Sequence, residues 1–323
     1  MAALRRKQVT VRREALLLLG ALLTAGVSHT AAAQSPRLEK SDITIGVLPI
    51  TNYAAVHLGA KEGLFKEQGL NVTLRMMGAA SPVAALVGGD YDAAGITWPA
   101  MLLAYNRGIP LLPVSETDRA TPGSANYVVK ADSRYQKAAD LVGKKVGVVT
   151  LGGVCDLILN DVLRAEGLDF KAVSYTPIGV PDMAPTLLRG GIDAACLPEP
   201  LLTAAKAQGG IRSIMDLFAD QYRDWPLTSY PVTEKFAQAN PNTLAAMRRA
   251  LETSLKFAHD NPAKVRDILP TYTTLTPEAA SRISLPFFPE KSDFTQANRV
   301  ADLMDRLNLL PTKLKRPPIV EGR

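Results

Sequence analysis

Short apolar runs and amphipathic segments alternate through the first third of the chain, with glycine or proline at most boundaries. Ile43–Leu48 is a β-rich apolar run that predicts a buried strand, and the helical spacing of alanine and leucine from Tyr53 to Glu62 predicts a helix. Val72–Met77 predicts a second strand. Ser81 then supplies an N-cap, with proline at the first position of the next helix, and Asp92–Ile96 predicts a third strand. This order predicts a parallel sheet covered by helices.

The same pattern returns about 100 residues later along the chain. Lys145–Thr150 predicts a strand bounded by glycines, and a helical pattern starts after Gly153. Three pairs of segments match in order: 67–71 with 165–169, 86–94 with 188–195, and 98–103 with 199–202. The repeat predicts two similar α/β lobes, each with parallel strands and right-handed crossovers, whose strand ends face one another across a ligand cleft.

The segments between and after the two copies predict how the lobes are joined. Extended stretches at 111–115 and 126–130 form one crossing, and Leu227–Val232 begins the other. Helices at Asn240–His259, Pro277–Ile283 and Asp293–Asn308 then return to the first lobe. The predicted boundaries are a leader at 1–33, lobe 1 at 34–118, a crossing at 119–129, lobe 2 at 130–226, a crossing and return at 227–310, and a tail at 311–323.

The N-terminus has the pattern of a secretory signal peptide. Basic residues precede the apolar run Ala15–Gly26, and Ala31–Gln34 offers a small-residue cleavage site. The run is shorter than the roughly 20 residues of a membrane span. We therefore expect a periplasmic protein. Arg12 and Arg13 leave twin-arginine export open beside the general route.

Removal of the leader changes the charge of the protein. The whole chain has 37 basic and 31 acidic residues, and 32 and 30 remain after residue 33, a net charge of +2. This balance gives no support to nucleic-acid binding. The two cysteines, Cys155 and Cys196, are each other's only candidates for a disulfide, and the sequence leaves open whether they pair.

Four segments in combination resemble the ABC-transporter substrate-binding proteins for nitrate, sulfonates and pyrimidine thiamine precursors: 60–70, 85–92, 140–147 and 188–194 with the Glu199-Pro200 pair. The resemblance covers nearly all of the chain after the leader. It implies a type II periplasmic-binding-protein fold. It also implies a monomer that closes on a small polar ligand and delivers it to an ABC permease in the inner membrane, with no cofactor.

The two-lobe arrangement makes the residues at the strand ends candidates for ligand binding. In lobe 1 and the crossing these are Thr51, Asn52, Tyr53, Gly78, Ala79, Thr97, Trp98, Arg119 and Tyr127, and in lobe 2 they are Thr150, Gly152, Gly153, Asp182 and Glu199. Trp98 and Tyr53 are expected to provide flat walls. For Tyr53 the alternative is a partly buried position on a helix face, and for Glu199 the favoured alternative is an acid that caps its own helix.

Two features of the second lobe bear on the ligand. Thr150 and the amides of Gly152 and Gly153 lie where sulfonate- and nitrate-binding relatives hold an oxyanion, but the two glycines depart from the usual Gly-Ser-Thr loop. Glu199 in the cleft would favour a ligand that donates hydrogen bonds, such as an amine or an aminopyrimidine. The sequence therefore leaves sulfonate, nitrate, carboxylate and pyrimidine open.

No catalytic signature is present. The chain lacks a nucleophile elbow, a zinc-protease motif and a phosphate loop, and we expect no enzymatic activity and no metal site. Two alternatives remain. One is an enzyme of pyrimidine-precursor synthesis on the same fold, although the cysteine-rich motif of that enzyme is absent. The other is a ligand sensor for a membrane signalling protein.

Overall fold

The computed structural model describes residues 37–78, 81–309, 313, 315 and 316. The predicted leader at 1–33, the candidate site residue Ala79 and most of the predicted tail lie outside these residues. Within the described part of the chain, no helix combines the length and the apolar character needed to cross a membrane.

Eleven strands and eleven α-helices make up the regular structure of the described residues. The strands are β1 Asp42–Val47, β2 Asn71–Met76, β3 Ala93–Ala94, β4 Ile96–Thr97, β5 Leu111–Arg119, β6 Ala125–Lys130, β7 Lys145–Val148, β8 Ser174–Pro177, β9 Ala194–Pro198, β10 Ile211–Asp216 and β11 Pro226–Thr233. The helices are α1 Ala54–Lys61, α2 Pro82–Gly88, α3 Trp98–Asn106, α4 Val154–Ala165, α5 Met183–Leu188, α6 Leu201–Gln208, α7 Glu234–Ala239, α8 Pro241–Asp260, α9 Pro262–Ile268, α10 Pro277–Ala280 and α11 Ala297–Arg306.

The two sequence copies form the same strand arrangement. In the first sheet, β1 lies between β2 and β3, and both pairings are parallel. In the five-stranded sheet, β7 lies between β8 and β9 in the same parallel manner. Even the register corresponds, because Gly46 pairs with Ala94 in one copy and Gly147 pairs with Ala195 in the other. The structure is a mixed α/β fold with open sheets, in agreement with the sequence prediction.

A third, antiparallel sheet combines two strands that lie between these arrangements along the chain, β4 and β5, with one that follows both, β11. Its strand order is β4-β11-β5. The chain leaves this sheet at the end of β5 and enters the five-stranded sheet with β6, and it returns from β10 to β11. These two passages occur near the predicted crossings. The residue boundaries that the sequence assigns to the lobes remain a prediction.

The C-terminal helices return to the first sheet copy. Helix α8 matches its predicted bounds to within one residue and packs on α1, where Gly59 lies directly against Ser254. Helix α10 is shorter than predicted and ends at Ala280 rather than Ile283, and the carbonyls of both residues accept hydrogen bonds from the Arg266 guanidinium, at 3.0 and 2.9 Å. The predicted helix at 293–308 is a 3-10 turn followed by α11, and Asp293 caps the turn.

Candidate functional site

A cavity of about 300 Å³ lies where the two copies approach each other. Its lining combines the segment after β1, the segment after β7 with the start of α4, and side chains of β4, β5 and β11. The remaining lining residues are Ser81, Pro82, Val83, Gly95, Ala100, Ser124, Ala125, Pro177, Pro198, Leu217, Phe218 and Pro286. The volume is at the small end of the range for ligand pockets, and most lining residues are apolar.

The segment after β1 is a 3-10 turn, Thr51–Tyr53, that contributes three lining residues. The backbone N–H and the hydroxyl of Thr51 donate to the carbonyl of Glu199, at 3.2 and 3.3 Å, and so connect the two sequence copies. The Tyr53 hydroxyl donates to the carbonyl of Gly95 at 3.3 Å. Gly95 must be glycine, because a Cβ there would overlap the Tyr53 ring.

The segment after β7 leads into α4 and carries a carboxylate that the sequence reasoning missed. Gly153 is the N-cap of this helix, and Gly152 has a left-handed φ of 68° that favours glycine. Asp156, in the first turn, accepts from the Gly152 N–H at 2.7 Å and from the Leu157 N–H at 3.1 Å. Burial raises the pKa of Asp156 to about 6. The helix start is thus already occupied by the carboxyl group of its own chain.

A second buried carboxyl, Asp118 on β5, lines the cavity and was also missed. Its Oδ1 accepts from the Thr117 hydroxyl at 2.6 Å and from the Asn52 amide at 3.3 Å. Its Oδ2 is buried and has no partner among the described residues. Desolvation by burial raises the pKa of Asp118 to about 8.

The antiparallel sheet places Asp118 in a row with two hydroxyl groups. Thr228 of β11 is the register partner of both Thr97 of β4 and Asp118 of β5. All three residues line the cavity. The Thr97 hydroxyl is buried and, like Asp118 Oδ2, has no partner in the described part of the chain. Two unpartnered polar atoms therefore belong to one row of the cavity lining.

Six of the candidate residues from the sequence line this cavity: Thr51, Asn52, Tyr53, Thr97, Thr150 and Gly153. Each follows a strand or ends one, which is the property that identified it. Tyr53 combines both of its expected roles, since it lines the cavity although only 1% of its surface is exposed.

The other described candidates lie outside the lining. Trp98 is fully buried at the start of α3, where its ring packs edge-to-face on Phe294, with ring centroids 6.1 Å apart. Tyr127 is fully buried in β6, the strand that pairs with β9 in antiparallel orientation. The large apolar surface of each ring is accommodated in the core instead of the cavity. Gly78 and Asp182 are exposed, and Gly152 presents its N–H to Asp156.

Two charged candidates have partners of their own. Glu199 is buried, and its carboxylate accepts from the Thr203 backbone at 3.1 Å and hydroxyl at 2.8 Å, so that it caps the start of α6. This is the alternative that the sequence left open. The Arg119 guanidinium lies 3.3 Å from the Glu116 carboxylate and 3.6 Å from that of Asp224. Its charge is therefore compensated outside the cavity.

Cys155 and Cys196 form a disulfide that connects the first turn of α4 to β9. The pairing that the sequence left open is thus present in the structure. Cys155 also lines the cavity, so the bond lies next to the candidate site. In the described residues, no group of three or more potential ligands is arranged to hold a metal ion.

Comparison with solved structures identifies the fold as that of periplasmic binding proteins. The periplasmic nitrate-binding protein NrtA from Synechocystis PCC 6803 superposes with a TM-score of 0.74 at 16% identity, covering 88% of this chain and 86% of that one. The alkanesulfonate-binding protein SsuA from Xanthomonas axonopodis pv. citri, bound to MOPS, gives a TM-score of 0.72 at 21% identity, covering 87% and 98%.

The sequence comparison identifies the family. Residues 50–265 match the family model described as NMT1/THI5 like, and the chain belongs to this family. The nitrate/nitrite binding protein NrtA of Nostoc sp. strain PCC 7120 is 22% identical over 247 residues, which are 70% of this chain and 56% of that protein. A putative aliphatic sulfonates-binding protein of Escherichia coli strain K12 is 28% identical over 130 residues, 40% of each chain. The matches thus span about half the length of these relatives or less.

Proposed function

We propose that this protein is an exported solute-binding protein of an ABC importer, which binds a small ligand between its two sheet copies and delivers it to a membrane permease. The observation that carries the proposal is the cavity itself, whose lining joins the segment after β1 to the equivalent segment after β7. A ligand in this position contacts both copies and stabilises the arrangement in which they are close together.

Two further points support this function. The nitrate- and sulfonate-binding relatives favour a binding protein over an enzyme. The leader-like N-terminal sequence supports a periplasmic location. The predicted partner is a permease of the inner membrane, and the protein acts as a monomer that carries one ligand.

Native mass spectrometry of the protein purified from the periplasm tests the proposal. We expect one small molecule per chain, lost on unfolding. Thr150→Trp places an indole in the cavity lining and should abolish retention, whereas Thr253→Trp, at an exposed position on α8, should not. Absence of any retained ligand, together with no change in melting temperature across a metabolite library, would refute a solute-binding role.

A second measurement separates transport from the sensor and enzyme alternatives. A purified candidate ABC permease with its ATPase is reconstituted in liposomes with the liganded protein. A solute-binding protein stimulates ATP hydrolysis in a ligand-dependent manner, and a sensor does not. Recovery of the ligand chemically unchanged after prolonged incubation argues against an enzyme of pyrimidine-precursor synthesis.

A further inference from the structure

The cavity lining contains acidic but no basic side chains. Among the described residues, no lysine, arginine or histidine contributes to it, whereas Asp118 does. The same imbalance extends to the interior. Tyrosines and cysteines apart, every ionisable side chain that is buried in the described part of the protein is acidic. These side chains are Glu116, Asp118, Asp156, Asp161 and Glu199. An anionic ligand would therefore lose its hydration without gaining a cationic partner.

A carboxylate of the chain lies beside the position that favours an anion in such a fold. The N-terminus of α4 opens toward the cavity at Gly153 and Val154, and the free N–H groups of a helix start are its usual anion-binding element. Asp156, in the first turn, accepts from the Gly152 N–H just before the N-cap and from the Leu157 N–H, so that its negative charge lies at this turn. A second anion at this turn would meet like charge at close range.

Two buried atoms of lining residues lack the partners that their burial demands. Asp118 Oδ2 and the Thr97 hydroxyl are unpartnered among the described residues, and both residues belong to the row through Thr228. The oxygens of an ionised carboxylate only accept, and a threonine hydroxyl can accept as well as donate. Buried polar groups in proteins are almost always paired, so a ligand that donates hydrogen bonds supplies what this row lacks.

We propose that the ligand is a compact cation with N–H donors on a largely apolar body, such as an alkylammonium or amidinium compound, and that Asp118 binds its charged nitrogen. The inference rests on the solute-binding function proposed above and names the ligand class for that site. The Thr97 hydroxyl accepts from a second N–H group. The apolar residues of the lining, including Leu48, Ile96 and Phe218, surround the body of the ligand.

Binding of such a cation is coupled to the ionisation of Asp118. Glu116 faces it from its own strand, and Tyr53, Tyr230 and Tyr272 face it from three other segments. Burial raises the pKa of each of these three tyrosines, so they are neutral near pH 7. The other lining-proximal acid, Asp156, has a lower pKa of about 6.

The expected pH dependence has a defined sign. A cation binds the ionised carboxyl, which is the minority form below a pKa of about 8. The affinity should therefore rise about tenfold from pH 6 to pH 7 and about fivefold from pH 7 to pH 8, and change by less than about twofold above that.

The test compares three probes that share one ring and differ in charge: benzamidine, benzamide and benzoate. Calorimetry of the ligand-free protein at pH 8 should show benzamidine binding with a stoichiometry of one and no binding of benzoate, nitrate or ethanesulfonate. Asp118→Asn should weaken benzamidine binding at least about 30-fold. Asp267→Asn makes the same charge change at an exposed position and should leave binding unchanged.

Each outcome decides the proposal. Binding of benzoate, nitrate or ethanesulfonate would overturn the cation and leave the solute-binding function intact. Equal benzamidine binding by the wild type and Asp118→Asn would overturn the role of Asp118. Failure of every probe to bind the wild type would overturn the ligand class, while retention of a native ligand in mass spectrometry decides the function separately. If Asp118→Asn does not fold, the pH series on the wild type decides, and a flat series refutes the proposal.

Discussion

The buried carboxyl of Asp118 should favour binding of a cationic ligand but lower the stability of the ligand-free protein. It is fully buried, and only its Oδ1 is hydrogen-bonded, to Thr117 and Asn52. The ionised form is therefore poorly solvated in the ligand-free protein, as the rise of its pKa to about 8 indicates. Asp118→Asn keeps the shape and removes the charge. We expect this variant to lose the cationic ligand but to be more stable than the wild type without ligand.

The magnitude follows from proton linkage. An aspartate in an unfolded chain has a pKa of about 4, and Asp118 in the folded protein has one of about 8. Between these values the folded state holds a proton that the unfolded state has lost. The free energy of unfolding therefore falls by about 1.4 kcal/mol for each pH unit. The stability that the protonated Asp118 contributes is fully present below about pH 4 and is lost as the pH rises to about 8. The total loss in the free energy of unfolding has an upper limit of about 6 kcal/mol.

Ionisable groups inside proteins respond with an effective dielectric constant well above that of dry protein, and we therefore expect Asp118→Asn to gain about 3 kcal/mol over the wild type at pH 8, below this upper limit. At pH 5 the gain should be below about 1 kcal/mol, because most of the wild-type protein is then protonated. Urea unfolding of ligand-free protein at both pH values measures the difference. The buried Trp98 and Trp225 provide the fluorescence signal. Asp156 titrates equally in both proteins and cancels.

The control is again Asp267→Asn, which should match the wild type at both pH values. A variant that is less stable than the wild type at pH 8 would show that Asp118 is ionised and well paired in the native protein. An equal difference at pH 5 and pH 8 would show that packing rather than charge causes the change. Either result would refute the account of Asp118 as a buried acid that lacks a counter-ion.

Three further changes test other parts of the structure. Gly59→Ala should destabilise the protein by about 1–3 kcal/mol in urea unfolding, because its Cβ would overlap Ser254 across the α1–α8 contact. Replacement of Cys155 and Cys196 by serine should lower the free energy of unfolding by about 3–4 kcal/mol, since the bond closes a loop with a sequence separation of 41; an unchanged midpoint would contradict this. Asp156→Ala removes the carboxylate that lies at the first turn of α4 and frees the Gly152 N–H beside it, so sulfate should raise the melting temperature of the variant more than that of the wild type.

The strands of the two copies and their parallel pairing could be predicted from the sequence, because they depend on local periodicity. Ile43–Leu48 and Lys145–Thr150 have the apolar composition of buried strands, and their equivalents after one helix pair with them as predicted. The ends of the later helices were less accessible. At the end of α10, the carbonyls of Ala280 and Ile283 accept hydrogen bonds from Arg266, which lies in α9. No pattern within 277–283 indicates that contact.

The candidate site was accessible where a lining residue follows a strand and inaccessible where it lies within one. Thr51 and Thr150 follow strands and line the cavity. Asp118 ends a polar run, Ser115–Asp118, that is typical of an exposed segment. The structure buries the whole run, because its side chains bond to one another and to Ser292 and Thr228. Burial of such a run depends on partners far away in the sequence.

Asp156 is a different case, because its signal was present. An acid three residues after an N-cap glycine is a common way to pair the free N–H groups of a first helical turn. The amides of Gly152 and Gly153 were predicted to face a ligand. In the structure, the Gly152 N–H donates instead to Asp156 of the helix that follows. Trp98 was predicted to line the cleft because it follows a strand end. The same position also starts a helix, and the first turn of that helix is buried.

The residues that decide the ligand class are few and replaceable without a change of fold. The nitrate- and alkanesulfonate-binding proteins share this architecture with TM-scores of 0.74 and 0.72 at only 16% and 21% identity. A shared fold does not fix the chemistry of a site, which depends on the side chains that line it. In this chain, Asp156 lies at the start of α4, and the lining residue Asp118 has a carboxyl oxygen without a partner among the described residues. We therefore expect the ligand class to depend on these two side chains rather than on the sheets that position them.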